Sequence, residues 1–303
     1  MIKIISHNNI PKCILRYIMM NFLDLKTIET VILNIKEMNV LDNFSKQFLA
    51  KAKKGLFWNC QKGHLDVVQW LYFSRSTDIH STNNYAFKLA CEKGRLDLAK
   101  WLYHIDIGYY LSSDTLSFFG YAFDMACING HLDVAKWLYN LSPSGNRINI
   151  HAINKSAFGY VCANGKLDVA KWLHEVGANI NGYNGNNAFT RSCTNGHLEV
   201  AKWLWSVGVN IHAYQECAFI YACMQGKLDI AKWLYSIGID PIADTYGAFA
   251  MSCKFGHLNI MEWLHSIGAS NVNAIDNRDD EYDLFSDLSR EIQVWLLEHG
   301  YNY

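Results

Sequence analysis

The sequence predicts an all-α chain, a solenoid of stacked helix-turn-helix repeats with short fingers between them. Three observations predict it. Cys60, Cys91, Cys127, Cys162, Cys193, Cys223 and Cys253 are spaced 31, 36, 35, 31, 30 and 30 residues apart. A tryptophan follows each of them by ten residues, at Trp70, Trp101, Trp137, Trp172, Trp203, Trp233 and Trp263. Between the two stands a glycine, at 63, 94, 130, 165, 196, 226 and 256. A period of about 20–50 residues marks stacked supersecondary units.

Residues 1–50 lack the repeat and read as a helical N-terminal cap. The stretch is basic: residues 1–62 hold ten Lys/Arg against four Asp/Glu. No apolar run approaches the roughly 18 residues a membrane helix needs. The start, Met1-Ile2-Lys3-Ile4-Ile5-Ser6, lacks the apolar block and cleavage site of a signal peptide. An intracellular chain is expected, located in the cytoplasm.

Residues 51–270 read as seven repeats. In the third, Ala122-Phe123-Asp124-Met125-Ala126-Cys127-Ile128-Asn129 predicts a first helix and Gly130 breaks it. His131-Leu132-Asp133-Val134-Ala135-Lys136-Trp137-Leu138-Tyr139 predicts a second helix with a broad apolar face. The glycine supplies the backbone of a tight helix-to-helix turn. Asp66, Asp97, Asp133, Asp168, Glu199 and Asp229 fall in the first turn of the second helix, where the helix dipole favours an anion. Lysine follows three residues later at 100, 136, 171, 202 and 232, within ion-pair reach.

These polar groups predict structure, not catalysis. An active site is needed once, yet the carboxylates recur in each of these repeats. His64, His131, His197 and His257 alternate with Arg95, Lys166 and Lys227 at one position, an exchange that no metal ligand or general base tolerates. The nine cysteines contain no Cys-x-x-Cys pair, so zinc is not expected, and one buried thiol per repeat is. No enzyme and no cofactor are predicted. The net charge of −1 argues against nucleic acid as a partner. With 50% apolar and only 18% charged residues, the chain is composed to fold, and a monomer is expected.

Two spacings are long. They imply extended connections at about residues 104–121 and 140–156, on either side of the third repeat. The glycine that ends the second helix at 177, 208, 238 and 268 is absent from the first three repeats, where Arg75, Asp106 and Ser142 stand. The first insertion carries Tyr109, Tyr110, Leu111, Leu116, Phe118 and Phe119. Tyr109, Tyr110, Phe118 and Phe119 are candidates to anchor a partner, or to form a flap packed on the chain itself; both readings stand. Residues 271–303 read as a degenerate capping repeat. Trp295 keeps its five-residue spacing to Gly300, and residues 269–303 hold eight Asp/Glu against two Lys/Arg.

Gly-His-Leu-Asp-Val-Ala-Lys-Trp-Leu, with Ala-Phe-x-x-Ala-Cys before it, resembles the ankyrin repeat over about residues 56–303. The Thr-Pro pair of that family is absent. The short period, in a chain with only three prolines, resembles the ankyrin-like arrays of giant DNA viruses of mimivirus type. The resemblance implies an ankyrin-type α-solenoid that binds a protein, a host protein if the chain is viral, through the concave face of its first helices and fingers. Relative to the turn glycine, positions −7, −4 and −3 should face the core, and −6, −5 and −2 should point away. The latter are Asp124, Met125 and Ile128; Gly159, Tyr160 and Ala163; Thr190, Arg191 and Thr194; Ile220, Tyr221 and Met224; Ala250, Met251 and Lys254. Candidate partner contacts are therefore Met125, Ile128, Tyr160, Arg191, Tyr221, Met224, Met251 and Lys254. Position −5 is equally compatible with half-buried packing.

Near the N-terminus, Ile10-Pro11 with Ile14 and Leu15, then Leu23-Asp24-Leu25, resembles the start of an F-box. That resemblance implies contacts from Ile10, Pro11, Ile14, Leu15, Leu23 and Leu25 to a Skp-type linker of a ubiquitin ligase. A cap over the first repeat accounts for the same apolar residues.

Overall fold

The structure, a computed structural model, describes residues 50–52, 54–73, 85–105, 115–141, 157–178, 180, 183–210, 217–241, 247–270 and 288–301. The chain divides into two compact units, Met1–Ile148 and Asn149–Tyr303. Among the described residues every regular element is a helix. None of these helices is long and apolar enough to cross a membrane.

The first unit holds three helix pairs, or rungs: α1 (Leu56–Lys62) with α2 (Leu65–Phe73), α3 (Tyr85–Glu92) with α4 (Leu96–Ile105), and α5 (Thr115–Asn129) with α6 (Leu132–Leu141). The second unit holds α7 (Ala157–Ala163) with α8 (Leu167–Glu175), α9 (Tyr183–Asn195) with α10 (Leu198–Ser206), α11 (Cys217–Met224) with α12 (Leu228–Ser236), and α13 (Ala248–Lys254) with α14 (Leu258–Ser266). It ends in α15 (Arg290–Glu298). Each first helix packs against its own second helix and, within its unit, against the first helix of the next rung.

Similar residues fill the rungs. The first helix gives Phe, a small residue and Cys: Phe87, Ala90 and Cys91 in the second rung and Phe219, Ala222 and Cys223 in the sixth are buried. Ser192 and Ser252 replace the alanine in the fifth and seventh, Val161 replaces it in the fourth, and Leu56 and Asn59 stand for Phe and Ala in the first. The second helix adds two aliphatic or small residues and a Leu, as in Val200, Ala201 and Leu204. The turn between the helices is a Schellman motif. Gly226 adopts φ +71°, its N–H donates to the Cys223 carbonyl at 3.1 Å, and the Lys227 N–H donates to the Ala222 carbonyl at 2.9 Å. The same pair of bonds closes the turns at Gly94, Gly130, Gly165, Gly196 and Gly256. The second helices of the second unit leave by an equivalent glycine turn, including the degenerate last one, where the Tyr301 N–H donates to the Leu296 carbonyl at 3.0 Å.

Two expectations need correction. The first long connection is partly helix, because α5 already begins at Thr115. Leu116, Phe119, Ala122 and Phe123 recur at helical spacing and extend the apolar stripe backwards. Position −6 does not point away in four of the five rungs named above: Asp124, Gly159, Ile220 and Ala250 are buried and only Thr190 is half-buried, and Ala163 at −2 is buried as well. A helical wheel considers one helix alone, whereas the flanks of a first helix are covered by neighbouring elements.

The rung cysteines are buried free thiols. Burial pushes Cys60 and Cys253 up from 9.0 to about 12, and raises the others as well, with the Asp124 charge adding to the effect at Cys127. The folded state therefore keeps protons that the unfolded state releases. Stability should be intact below the unfolded thiol value and fall as pH rises through 9.0 towards about 12. Ellman's reagent should reach half-buried Cys217 before any rung cysteine, and should label the rung thiols at the rate at which their rungs open. Fast labelling of all thiols in the native protein would contradict this burial.

Candidate functional site

Three side-chain rows cross from rung to rung. The first two hold the rungs together, and the third is exposed.

Within each unit, the residue after a turn glycine lies over the glycine of the rung before it. Arg95 covers Gly63, His131 covers Gly94, His197 covers Gly165, Lys227 covers Gly196 and His257 covers Gly226. The last carbonyls of a helix lack intrahelical donors, and the following rung supplies them. Arg95 Nε–H donates to the Gln61 carbonyl at 3.1 Å, and His257 Nε2–H donates to that of Met224 at 2.9 Å. At Ala163 the donor is Asn195 Nδ2–H, at 2.7 Å. Histidine, arginine and lysine exchange at this position because each carries an N–H.

The second row is aromatic. Trp137, Trp203, Trp233, Trp263 and Trp295 each lie between two residues of the previous rung, the core phenylalanine and an aromatic residue two places after the previous tryptophan. Trp233 meets Phe189 at 6.2 Å and Trp205 at 6.3 Å; Trp263 meets Phe219 at 6.2 Å and Tyr235 at 6.0 Å. In the first unit Trp137 sits likewise between Phe87 at 6.2 Å and Tyr103 at 5.9 Å. In the last rung Trp295 meets Phe249 at 6.3 Å and His265 at 5.4 Å, and stacks on His299 at 3.9 Å. Such aromatic pairs add about 0.5–1.5 kcal/mol beyond burial.

The exposed row of the second unit lies at position −5. Tyr160 is 45% exposed and Tyr221 41%. Between them, on α9, Arg191 sets its guanidinium 4.9 Å from the centroid of the Tyr160 ring. Met224 and Met251 are half-buried and Lys254 is exposed. Six residues named from the sequence thus lie on successive first helices of one unit. Met125 and Ile128, in the first unit, are half-buried. Phe119 packs on the chain itself, 5.9 Å from Phe87 and 6.1 Å from Tyr103. Tyr109, Tyr110, the Phe118 side chain, and Ile10, Pro11, Ile14, Leu15, Leu23 and Leu25 lie outside the described residues.

Sequence reasoning missed a second exposed row, in the first unit: Phe57, Tyr85 and Tyr121, with half-buried Lys88 over the Tyr121 ring. Its signal was the Tyr-Ala-Phe shared by 85–87 and 121–123, which puts a second aromatic beside the core phenylalanine. Among the described residues no group of three or more His, Cys, Asp or Glu has metal-holding geometry. The surface chemistry on view is that of recognition: half-exposed aromatic rings beside cations.

Comparison with known proteins agrees with this geometry. A family model described as Ankyrin repeats matches the chain in three copies, over residues 56–152, 123–215 and 158–245. Among solved structures, the crystal structure of the human ASB11 ankyrin repeat domain aligns with a TM-score of 0.51 at 19% identity. It covers 70% of this chain and 96% of that one, a likeness of fold alone. No curated protein matches the sequence.

Proposed function

The chain belongs to the ankyrin-repeat family, and on that premise we propose that it is a non-catalytic module that holds a protein partner against the first helices of its second unit. Ankyrin repeats generally mediate protein–protein interaction; fold by itself names no ligand. The observation that carries the reading is the Tyr160–Arg191–Tyr221 row, with Met251 and Lys254 beyond it. The rung frame around these positions is fixed, while the row varies from rung to rung and is rich in residue types favoured at interface centres. The Arg191 contact orders Tyr160 before any partner arrives, which lowers the entropy lost on binding. We place the protein in the cytoplasm, that of a host if the chain is viral.

The test is proximity labelling in cells with the full chain, beside Tyr160→Ala and Tyr221→Ala variants. Each substitution is expected to weaken genuine partners by about 1–2 kcal/mol, so that the same proteins drop out with both while helix content is unchanged. A labelling profile indifferent to both variants would rule out this surface. The Ile10–Leu25 sequence favours a second reading, a substrate adaptor for a cullin–RING ligase. A Skp-type linker that stays labelled with both variants supports it.

A further inference from the structure

We propose that His265 and His299, at the closing end of the second unit, form a binding site for a zinc ion, with Tyr301 as the residue that positions His265. His265 lies in the last turn of α14, and His299 follows α15 directly. Their ring centroids are 5.1 Å apart, with the planes at 79°. A zinc–imidazole bond of about 2.0–2.1 Å puts the ion roughly 3 Å from each ring centre, and a tetrahedral angle then separates the two centres by about 5 Å. The two imidazoles stand at the separation that one shared ion requires.

Hydrogen bonding leaves one nitrogen of each ring for the metal. His299 Nδ1–H donates to the Trp295 carbonyl at 2.8 Å. A carbonyl only accepts, so the proton is fixed on Nδ1 and the neutral ring carries its lone pair on Nε2. His265 Nδ1 lies 2.9 Å from the Tyr301 hydroxyl, which can accept its N–H. Among the described residues neither Nε2 atom makes a hydrogen bond. Metal-bound histidines give their other ring N–H to such acceptors. Trp295 steadies both rings: His299 stacks on it with planes at 17°, and His265 meets it edge-on.

The repeat frame does not account for these groups. Four places after the tryptophan, the complete rungs of the second unit have Val176, Val207, Ile237 and Ile267, where the last rung has His299. Six places after it they have Ala178, Val209, Ile239 and Ala269, where the last rung has Tyr301. His174 stands in its rung where His265 does, and the next rung offers it only Val207 and Val209 at these places. The second imidazole and the hydroxyl thus enter together, in the one rung of this unit where His265 meets both. The field suits a cation. Both histidines lie at helix C-termini, the negative ends of the helix dipole. Glu262 and Glu298 are exposed on the same two helices. A bound ion would fasten α15 to the last complete rung, with its remaining positions taken by water or by a side chain of a partner.

The test is calorimetric titration of the full chain with zinc. One equivalent should bind, and His265→Phe and His299→Ile should each weaken it about tenfold or more. Both variants keep the packing: phenylalanine retains an aromatic edge, and isoleucine is what two complete rungs carry there. Circular dichroism should show the same helix content. Tyr301→Phe keeps the ring and both ligands, and should still weaken zinc binding about tenfold through loss of the hydroxyl. His174→Phe should change nothing. Zinc should raise the melting temperature of the wild type and not that of His299→Ile. The proposal is overturned if the wild type binds no zinc, or if His265→Phe and His299→Ile bind it as well as the wild type does. It is equally overturned if magnesium binds as tightly as zinc, since that would assign the site to carboxylate oxygens.

Discussion

Gly165→Ala is expected to lower the unfolding free energy of the second unit by about 2–4 kcal/mol, from two separable causes. The residue sits at φ +70°, in the left-handed region that side chains rarely adopt. A Cβ there would also come within 2.5 Å of His197 Nδ1, a group carried by the next rung. Gly268 isolates the first cause: its φ is +77°, and nothing lies within 4 Å of where its Cβ would be. Gly268→Ala should therefore cost only about 1 kcal/mol. In urea titrations of both variants the difference measures the clash. Adding His197→Ala to Gly165→Ala should recover that difference and no more. Equal losses for Gly165→Ala and Gly268→Ala would show that the basic side chain moves aside freely and does not lock the rungs.

Phe219→Ala should cost about 3–5 kcal/mol, as is usual for a fully buried phenylalanine, and should also change the shape of the transition. Phe219 fills the sixth rung and is the face on which Trp263 of the seventh rests, at 6.2 Å. In a repeat stack, stability is a sum of rung terms and nearest-neighbour terms. This substitution weakens one of each at the same place. The rungs on either side should then unfold at different urea concentrations, giving a two-step curve by tryptophan fluorescence with circular dichroism lagging behind it. One coincident transition with a loss below about 1 kcal/mol would refute the aromatic coupling.

The rungs were legible because their causes are local. A left-handed glycine, a small thiol three residues before it and an apolar stripe after it mark each turn within one short stretch of chain. What crosses between rungs was not legible. The inward turn of Ala250 depends on the covering it receives from neighbouring elements, which no wheel of its own helix contains. The alternation of His257 with Lys227 and Arg95 reads as noise until the Met224 and Gln61 carbonyls are seen beneath the two donors that reach them. Tyr85 stands two residues before a core phenylalanine, and only the structure shows it exposed against Phe57. Among the binding candidates, the exposure of Tyr160 and Tyr221 followed from position alone. Phe119 did not, because the helix that carries it begins earlier than the connection length suggested.

The donor that lies over each turn glycine has a consequence for how such a chain changes over generations. The contact asks little of its two sides: an N–H on a side chain of adequate reach, and a bare backbone with an open carbonyl beneath it. Any copy of the unit satisfies both requirements, so a segment duplicated in tandem arrives already fitted to its neighbours, and a deleted one leaves ends that still match. Lengthening or shortening the gene by whole periods then needs no compensating mutation, while a duplication out of phase by a few codons would separate every donor downstream from its carbonyl. Number of rungs is thus the cheapest property of this protein to alter, and the phase of the repeat the hardest.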